Sequence, residues 1–126
     1  MKSHNTKTNN ISQRKKEIAT KFLHELSLHM ADLENGYVND KYTIENFASV
    51  LCVHPVHLTS TIKTVTGQTP CELYKEALIA VSKKMLLSGQ LTVSEIASRL
   101  TFDASNFSKF FKKATGQPPS AFKKKT

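Results

Sequence analysis

The stretch TVSEIASRLTFDASNFSKFFKKATGQPPSAFKK, residues 92–124, decides the fold, because the chain contains nearly the same pattern once before. The earlier copy is TIENFASVLCVHPVHLTSTIKTVTGQTPCELYK, residues 43–75, and the two align at an offset of 49 positions without a gap. Ten of the 33 aligned pairs are identical, and most of the others keep their polarity. The chain therefore contains one structural unit that is built twice.

The second copy predicts two short helices joined by a tight turn. Thr92 and Glu95 have the spacing of a capping box at the start of the first helix. Asp103 is the expected N-cap of the second helix, and Gly116 is expected to end it, because glycine accepts the left-handed conformation. Such a pair is typical of helix-turn-helix geometry. The side chains expected to be buried are Ile96, Ala97, Leu100, Phe107, Phe110, Phe111 and Ala114.

The first copy predicts the same two elements. Its helices are expected to run from about Thr43 to Leu51 and from Pro55 to Val65. Pro55 suits the first position of a helix, and Gly67 is the expected terminator. The repeated Thr-Gly-Gln phrase thus marks the end of the second helix in each copy.

A long helix is predicted between the two copies. Thr69 and Glu72 form another capping-box pattern, and Gly89 is expected to end the element. About 18 residues at ~1.5 Å each give a rod of roughly 27 Å. We expect this rod to hold the two second helices near the ~34 Å pitch of DNA, so that both could enter successive major grooves.

The sequence therefore predicts an all-α chain of two tandem, homeodomain-like helix-turn-helix subdomains joined by a long linker helix, with an extra N-terminal helix. The predicted boundaries are a disordered tail at residues 1–10, the N-terminal helix at 11–36, the first subdomain at 37–68, the linker helix at 69–89 and the second subdomain at 90–126. The apolar stripe expected on the N-terminal helix is Ile18, Phe22, Leu26, Met30 and Leu33.

The net charge of +8 is unevenly distributed. Residues 92–126 carry seven basic and two acidic side chains, whereas residues 43–91 carry four and three. Such a concentrated positive field attracts polyanions, either nucleic acid or an acidic membrane, although a solvated basic face has the same composition. The longest apolar run, residues 77–81, is far shorter than the ~20 residues of a membrane span, so we expect a soluble protein without a membrane partner.

Several motifs occur together in residues 42 to about 124. They are Ala48-x-x-Leu51, Ile96-Ala97-x-x-Leu100, the run Phe107-Ser-Lys-Phe-Phe-Lys112, a Gly-x-x-Pro phrase after each second helix, and the long helix between the copies. With these features the chain resembles the DNA-binding domain of AraC/XylS-type transcription regulators.

This resemblance implies a seven-helix, two-subdomain fold that binds an asymmetric DNA site as one chain and regulates transcription. The family usually has glycine in the turn before each recognition helix, where this chain has Cys52 and Thr101. Its usual reading-face arginines fall on Ser60 and Lys109, which cannot form the same two-pronged contact with guanine.

The polar face of the second recognition helix supplies the first set of candidate DNA-binding residues. Asn106 suits an adenine edge and Lys109 a guanine edge, whereas Lys112 and Lys113 lie farther along and suit phosphates. Without the repeat and the resemblance, this face would be interpreted as the solvent side of an amphipathic helix. The full set is Ser105, Asn106, Ser108, Lys109, Lys112 and Lys113.

The equivalent face of the first recognition helix has one lysine where the second has three. Val56 and Thr59 suit thymine methyl groups. We therefore expect the second copy to anchor the chain on DNA and the first copy to refine the choice of site. The candidates on the first helix are Val56, His57, Thr59, Ser60 and Lys63.

Other chemistries have weaker support. Cys52, His54 and His57 lack the fourth ligand of a zinc site, and we expect Cys52 to be packed in its turn, so no metal site is predicted. The chain shows no glycine-rich phosphate loop, paired catalytic carboxylates or nucleophile arrangement, so neither an enzyme nor a cofactor is predicted. Two cysteines without a disulfide framework favour a reducing, cytoplasmic location.

The predicted function is sequence-specific binding of double-stranded DNA in transcription regulation. The alternative from another class is a protein-interaction module that contacts RNA polymerase or a partner regulator. A general basic compaction protein, which would bind DNA without sequence preference, is a third interpretation. Because the N-terminal helix resembles a linker, we also expect the chain to be excised from a larger protein with an N-terminal sensor domain.

Overall fold

The computed structural model describes residues 11–38 and 40–123, and all regular structure in those ranges is helical. This confirms the predicted all-α class. The tail at residues 1–10, predicted to be disordered, lies outside the described residues. The helices are α1 (Gln13–Glu34), α2 (Ile44–Leu51), α3 (Pro55–Thr66), α4 (Pro70–Ser88), α5 (Val93–Arg99), α6 (Ala104–Thr115) and α7 (Pro119–Lys123).

The chain divides into two compact units. The first contains the chain up to Ser27 together with Tyr42–Tyr74, and the second contains Leu28–Lys41 together with the chain from Lys75 onward. One helix-turn-helix pair, α2 and α3, belongs to the first unit, and the other pair, α5 and α6, belongs to the second. The division between units falls within α1 and α4, whereas the predicted boundaries lie between helices.

Aromatic rings fill the core of the first unit. Phe22 of α1 meets Phe47 of α2 edge to face, with ring centroids 5.2 Å apart. Tyr42 and Tyr74 also meet Phe47 edge to face, at 5.2 Å and 6.2 Å. Such pairs add ~0.5–1.5 kcal/mol each beyond the burial of their area. Burial also raises the pKa of the Tyr74 hydroxyl above its ordinary value. These contacts fix α1 against the first helix-turn-helix pair.

The second unit has its own aromatic core under α6. Phe107 and Phe111 are fully buried, with ring centroids 5.9 Å apart, and Phe122 of α7 meets Phe111 at 5.5 Å. Ile96 and Leu100 of α5 are also fully buried, as predicted. The buried aromatic side of α6 determines which of its residues face outward.

Two predicted core positions of α6 differ from expectation. Phe110 is half-buried and stacks on Phe102 at 5.1 Å. Ala114 is exposed, so the prediction that it is buried was wrong. The next residue, Thr115, is half-buried, and its hydroxyl donates to the carbonyl oxygen of Phe111 at 2.9 Å.

The end of α1 packs on α5 inside the second unit. Arg99 Nη1 donates to the carbonyl oxygen of Glu34 at 2.9 Å, which satisfies one of the free carbonyls at a helix C-terminus. Lys41 Nζ lies 3.6 Å from the centroid of the Phe102 ring, and burial lowers the pKa of Lys41. The segment after α1 is therefore held against the turn between α5 and α6 by two cationic side chains.

The predicted helix starts and ends are confirmed. At α5, the backbone N–H of Glu95 donates to Thr92 Oγ1 at 3.0 Å, and the N–H of Thr92 donates to Glu95 Oε1 at 2.8 Å. Gly67 and Gly116 end α3 and α6 with φ of 80° and 87°. Thr43 forms the same kind of reciprocal cap with Asn46 at the start of α2. The sequence did not predict this cap, because the capping-box pattern has glutamate or glutamine at that position.

Candidate nucleic-acid interface

The start of α6 is fixed by a side-chain cap. Asp103 has extended backbone angles, φ −76° and ψ 160°. Its Oδ1 accepts from the backbone N–H of Asn106 at 2.8 Å, and its Oδ2 accepts from Asn106 Nδ2 at 2.7 Å. The Asn106 side chain is therefore held by the residue that begins its helix.

The structure places most of the predicted α6 residues on one open surface. Ser108 is the exception, because it flanks the buried Phe107 and is itself half-buried. The structure thus removes Ser108 from the open part of this face. The exposed residues are Ser105, Asn106, Lys109, Lys112 and Lys113.

The start of α3 is capped differently. His54 Nδ1 accepts from the backbone N–H of Val56 at 3.2 Å, and Pro55 occupies the first turn. Val56 itself is 71% exposed. Thr64 also lies exposed on this helix, a position that the sequence analysis did not include. The predicted residues His57, Thr59, Ser60 and Lys63 are all exposed.

The lysine of α3 is engaged within its own helix. Lys63 Nζ donates to the carbonyl oxygen of Gly67 at 3.1 Å, where a cation also compensates the negative end of the helix dipole. On the matching face α6 carries Lys109, Lys112 and Lys113, all exposed. The two recognition helices therefore differ in positive charge, in the direction predicted.

Each turn before a recognition helix contains a residue in the left-handed conformation. Cys52 has φ 58° and Thr101 has φ 66°. These are the two positions where the resemblance expects glycine, so the chain keeps the backbone geometry without the usual residue. Cys52 is exposed, and the expectation that it is packed was therefore wrong. It follows the last residue of α2 as its C-cap, and its backbone N–H donates to the carbonyl oxygens of Ala48 and Ser49.

Within residues 11–38 and 40–123, no three histidine, cysteine or acidic side chains come close enough together to hold a metal ion. No helix in the described part of the chain is long and apolar enough to pass through a membrane. Apart from Ser108, the residues predicted for the recognition faces of α3 and α6 are exposed.

The architecture defines the chain as a tandem helix-turn-helix protein, and comparison with known proteins identifies its family. Residues 47–125 match a family model described as a helix-turn-helix domain. The chain belongs to this family, in its AraC/XylS type, which confirms the resemblance seen in the sequence.

Three relatives illustrate the range of similarity. The chain is 27% identical over 90 residues to the uncharacterized HTH-type transcriptional regulator YobQ of Bacillus subtilis, an alignment that covers 71% of this chain and 37% of YobQ. It is 26% identical to the C-terminal domain of AraT, a response regulator from Geobacillus stearothermophilus, with a TM-score of 0.75 over 92% of this chain and 88% of the other.

The third relative is the DNA-binding domain of the global transcriptional factor AdpA, solved in complex with a target DNA. The TM-score is 0.66 at 18% identity, over 82% of this chain and 90% of the other, which shows a shared fold. The aligned part covers between 29% and 46% of the curated relatives, so this chain spans less than half of their length.

Proposed function

We propose that this chain binds a specific site in double-stranded DNA as part of transcription regulation, with α3 and α6 as its recognition helices. The observation that carries the proposal is the two-sided character of α6. Phe107 and Phe111 fix one side in the core, while the opposite side presents exposed amide and ammonium groups. A helix-turn-helix pair places its second helix in the major groove, where such groups meet base edges and phosphates.

The order of the polar residues along α6 suits a recognition helix, with candidates for base contacts near its start and candidates for phosphate contacts near its end. Asn106 and Lys109 lie in the first two turns, where a recognition helix contacts bases. Lys112 and Lys113 lie in the last turn, where the negative end of the helix dipole favours cations and where phosphates are within reach. Each phosphate contact contributes to an attraction that weakens with added salt.

The side chains of α3 suit contacts with base edges better than contacts with phosphates. Val56 and Thr59 are exposed and offer methyl groups, which suit the C5-methyl of thymine. Lys63 already donates to Gly67, so a phosphate would have to compete with that contact. The second helix-turn-helix pair therefore anchors the chain, and the first adapts it to the sequence.

The finer prediction concerns the spacing of the two helices on DNA. Helix α4 has 19 residues, which at ~1.5 Å per residue give about 28 Å, close to one turn of the double helix. This length supports binding in successive major grooves. The resemblance also suggests two further partners, RNA polymerase and an N-terminal sensor domain. Both belong to this proposal, as does the regulation of a gene by the bound chain.

Selection of binding sites from random duplexes tests the proposal. We expect one preferred asymmetric site with two conserved segments about 10 base pairs apart, and nuclease protection over both segments. Retention of all duplexes to the same degree would favour the compaction interpretation. No retention at moderate salt would favour the protein-interaction module. Lys84→Ala serves as a control, because Lys84 lies on α4 and pairs with Glu34 at 3.3 Å.

A further inference from the structure

The side-chain amide of Asn106 has a fixed orientation in the structure. Its Nδ2 lies 2.7 Å from Asp103 Oδ2, while its backbone N–H donates to Oδ1 of the same carboxylate. A carboxylate only accepts hydrogen bonds, so the nitrogen of the amide must face it. The chemistry of Asp103 thus decides which way the amide of Asn106 points.

This orientation leaves a defined pair of groups for DNA. An asparagine amide has two N–H donors and one carbonyl acceptor, and Asp103 uses one of the donors. The remaining N–H and the Oδ1 carbonyl form one donor beside one acceptor. In the major groove adenine presents the matching pair, the N7 acceptor beside the N6 amine. Asp103 and Asn106 are both exposed and lie at the start of α6, where base contacts are proposed.

Capping of α6 does not by itself require the negative charge of Asp103. Serine caps a helix about as well as aspartate does, and the first copy begins α3 with His54 at the aligned position. A carboxylate at the edge of a DNA-binding surface also repels phosphates, which opposes binding of any sequence. Its placement is explained if the charge serves specificity rather than affinity.

We infer that Asp103 is a positioning residue that holds the Asn106 amide so that it reads adenine at one base pair of the site. This inference rests on the proposed DNA binding and adds the base that is read and the residue that enforces the reading. Asp103 acts through Asn106, and Asn106 makes the base contact.

The experiment combines two variants with altered bases. Site selection with Asn106→Ala first identifies the base pair whose preference is lost. At that position adenine is replaced by purine, which lacks the N6 amine, or by 7-deazaadenine, which lacks N7. For the wild-type chain we expect each replacement to weaken binding about tenfold. For Asp103→Ser we expect less than a twofold difference between adenine and purine, together with tighter binding to random DNA.

Loss of the adenine preference without weaker binding to random DNA separates positioning from a merely structural role, since a misfolded helix would bind all DNA more weakly. The tighter binding itself reflects the removal of a charge that repels phosphates. Circular dichroism of Asp103→Ser, and of Asp103→Asn as a second capping variant, checks that α6 stays helical. Lys112→Ala is the matched control and should weaken binding to all sequences without changing the preferred base.

Two results would overturn the inference. One is a wild-type preference for a G·C pair at the position sensitive to Asn106→Ala. The other is an Asp103→Ser chain that still discriminates adenine from purine as the wild type does. A wild-type chain that selects no site at all would instead overturn the proposed function, so the two failures are distinguishable.

Discussion

At the scale of single residues, the two turns show how this chain departs from its family while keeping the backbone geometry. Left-handed backbone angles cost a non-glycine residue roughly 1–2 kcal/mol, and a β-branched side chain is the least suited to them. Thr101 has φ 66°, and within the described residues its Oγ1 is buried without a hydrogen-bond partner. Cys52 has φ 58° but is exposed. The turn of the second pair therefore stores the greater strain.

Thr101→Gly should stabilise the chain by about 1 kcal/mol. Relief of the backbone strain and removal of an unpaired hydroxyl outweigh the ~0.5–1 kcal/mol that glycine adds to the entropy of the unfolded chain. The free energy of unfolding, obtained from urea titration, measures the effect. Cys52→Gly is the control and should gain less, because no buried polar atom is removed there. A less stable Thr101→Gly chain would show that the threonine contributes more by packing than it costs by strain.

At the scale of single elements, short helices depend on their caps. Helix α5 has only seven residues and begins with the reciprocal contacts of Thr92 and Glu95. The backbone N–H of Thr92, and to a lesser extent its hydroxyl, lower the pKa of the Glu95 carboxyl below its ordinary 4.5. A carboxyl whose pKa is lowered by folding adds stability above the pKa of the unfolded chain. That contribution is lost as the pH falls through the lowered value.

Glu95→Gln should therefore be less stable than the wild type at pH 7, with a difference that shrinks as the pH falls below about 4.5. Glutamine can still accept from the N–H of Thr92 but has no proton to gain. Unfolding by urea at several pH values between 7 and 3 gives both curves. Thr92→Ala keeps the backbone N–H that lowers the pKa of Glu95 most, so it should retain most of the pH dependence while losing about 1 kcal/mol from the missing cap. Parallel curves for Glu95→Gln and the wild type would contradict this account.

At the scale of the whole molecule, the charge gradient along the chain determines how it should respond to salt. Residues 92–126 hold five more basic than acidic side chains, whereas residues 43–91 hold one more. Lys112 is exposed at the end of α6, while its repeat partner Lys63 donates to Gly67. The two recognition helices should therefore contribute unequally to the electrostatic part of DNA binding.

Lys112→Ala should reduce the slope of the logarithm of the binding constant against the logarithm of the salt concentration by about 1, because one phosphate contact is lost. Lys63→Ala should change the slope much less. Titration of the selected site at several salt concentrations measures both, with Lys84→Ala as a lysine variant outside the recognition helices. Equal changes for Lys112→Ala and Lys63→Ala would refute the unequal division between the two recognition helices.

The sequence by itself determined where the helices begin and end and which of their sides form the cores. These properties depend on near neighbours in the chain: a threonine with glutamate three residues later, a glycine at a helix end, apolar residues at helical spacing. Phe107 and Phe111 could be assigned to the core for that reason, as could Ile96 and Leu100. The candidate recognition faces followed as the opposite sides of the same helices.

Only the tertiary structure decided the degree of burial and the hydrogen bonds of particular side chains. Ala114 fits the apolar period but is exposed, whereas Thr115 beside it is half-buried. From the sequence alone, the Asn106 amide could present its donors and its acceptor to DNA in either orientation. In the structure its contact with Asp103 uses one donor and leaves one donor and one acceptor. Burial and side-chain orientation depend on atoms that surround a residue in space, and neither periodicity nor spacing along the chain specifies those atoms.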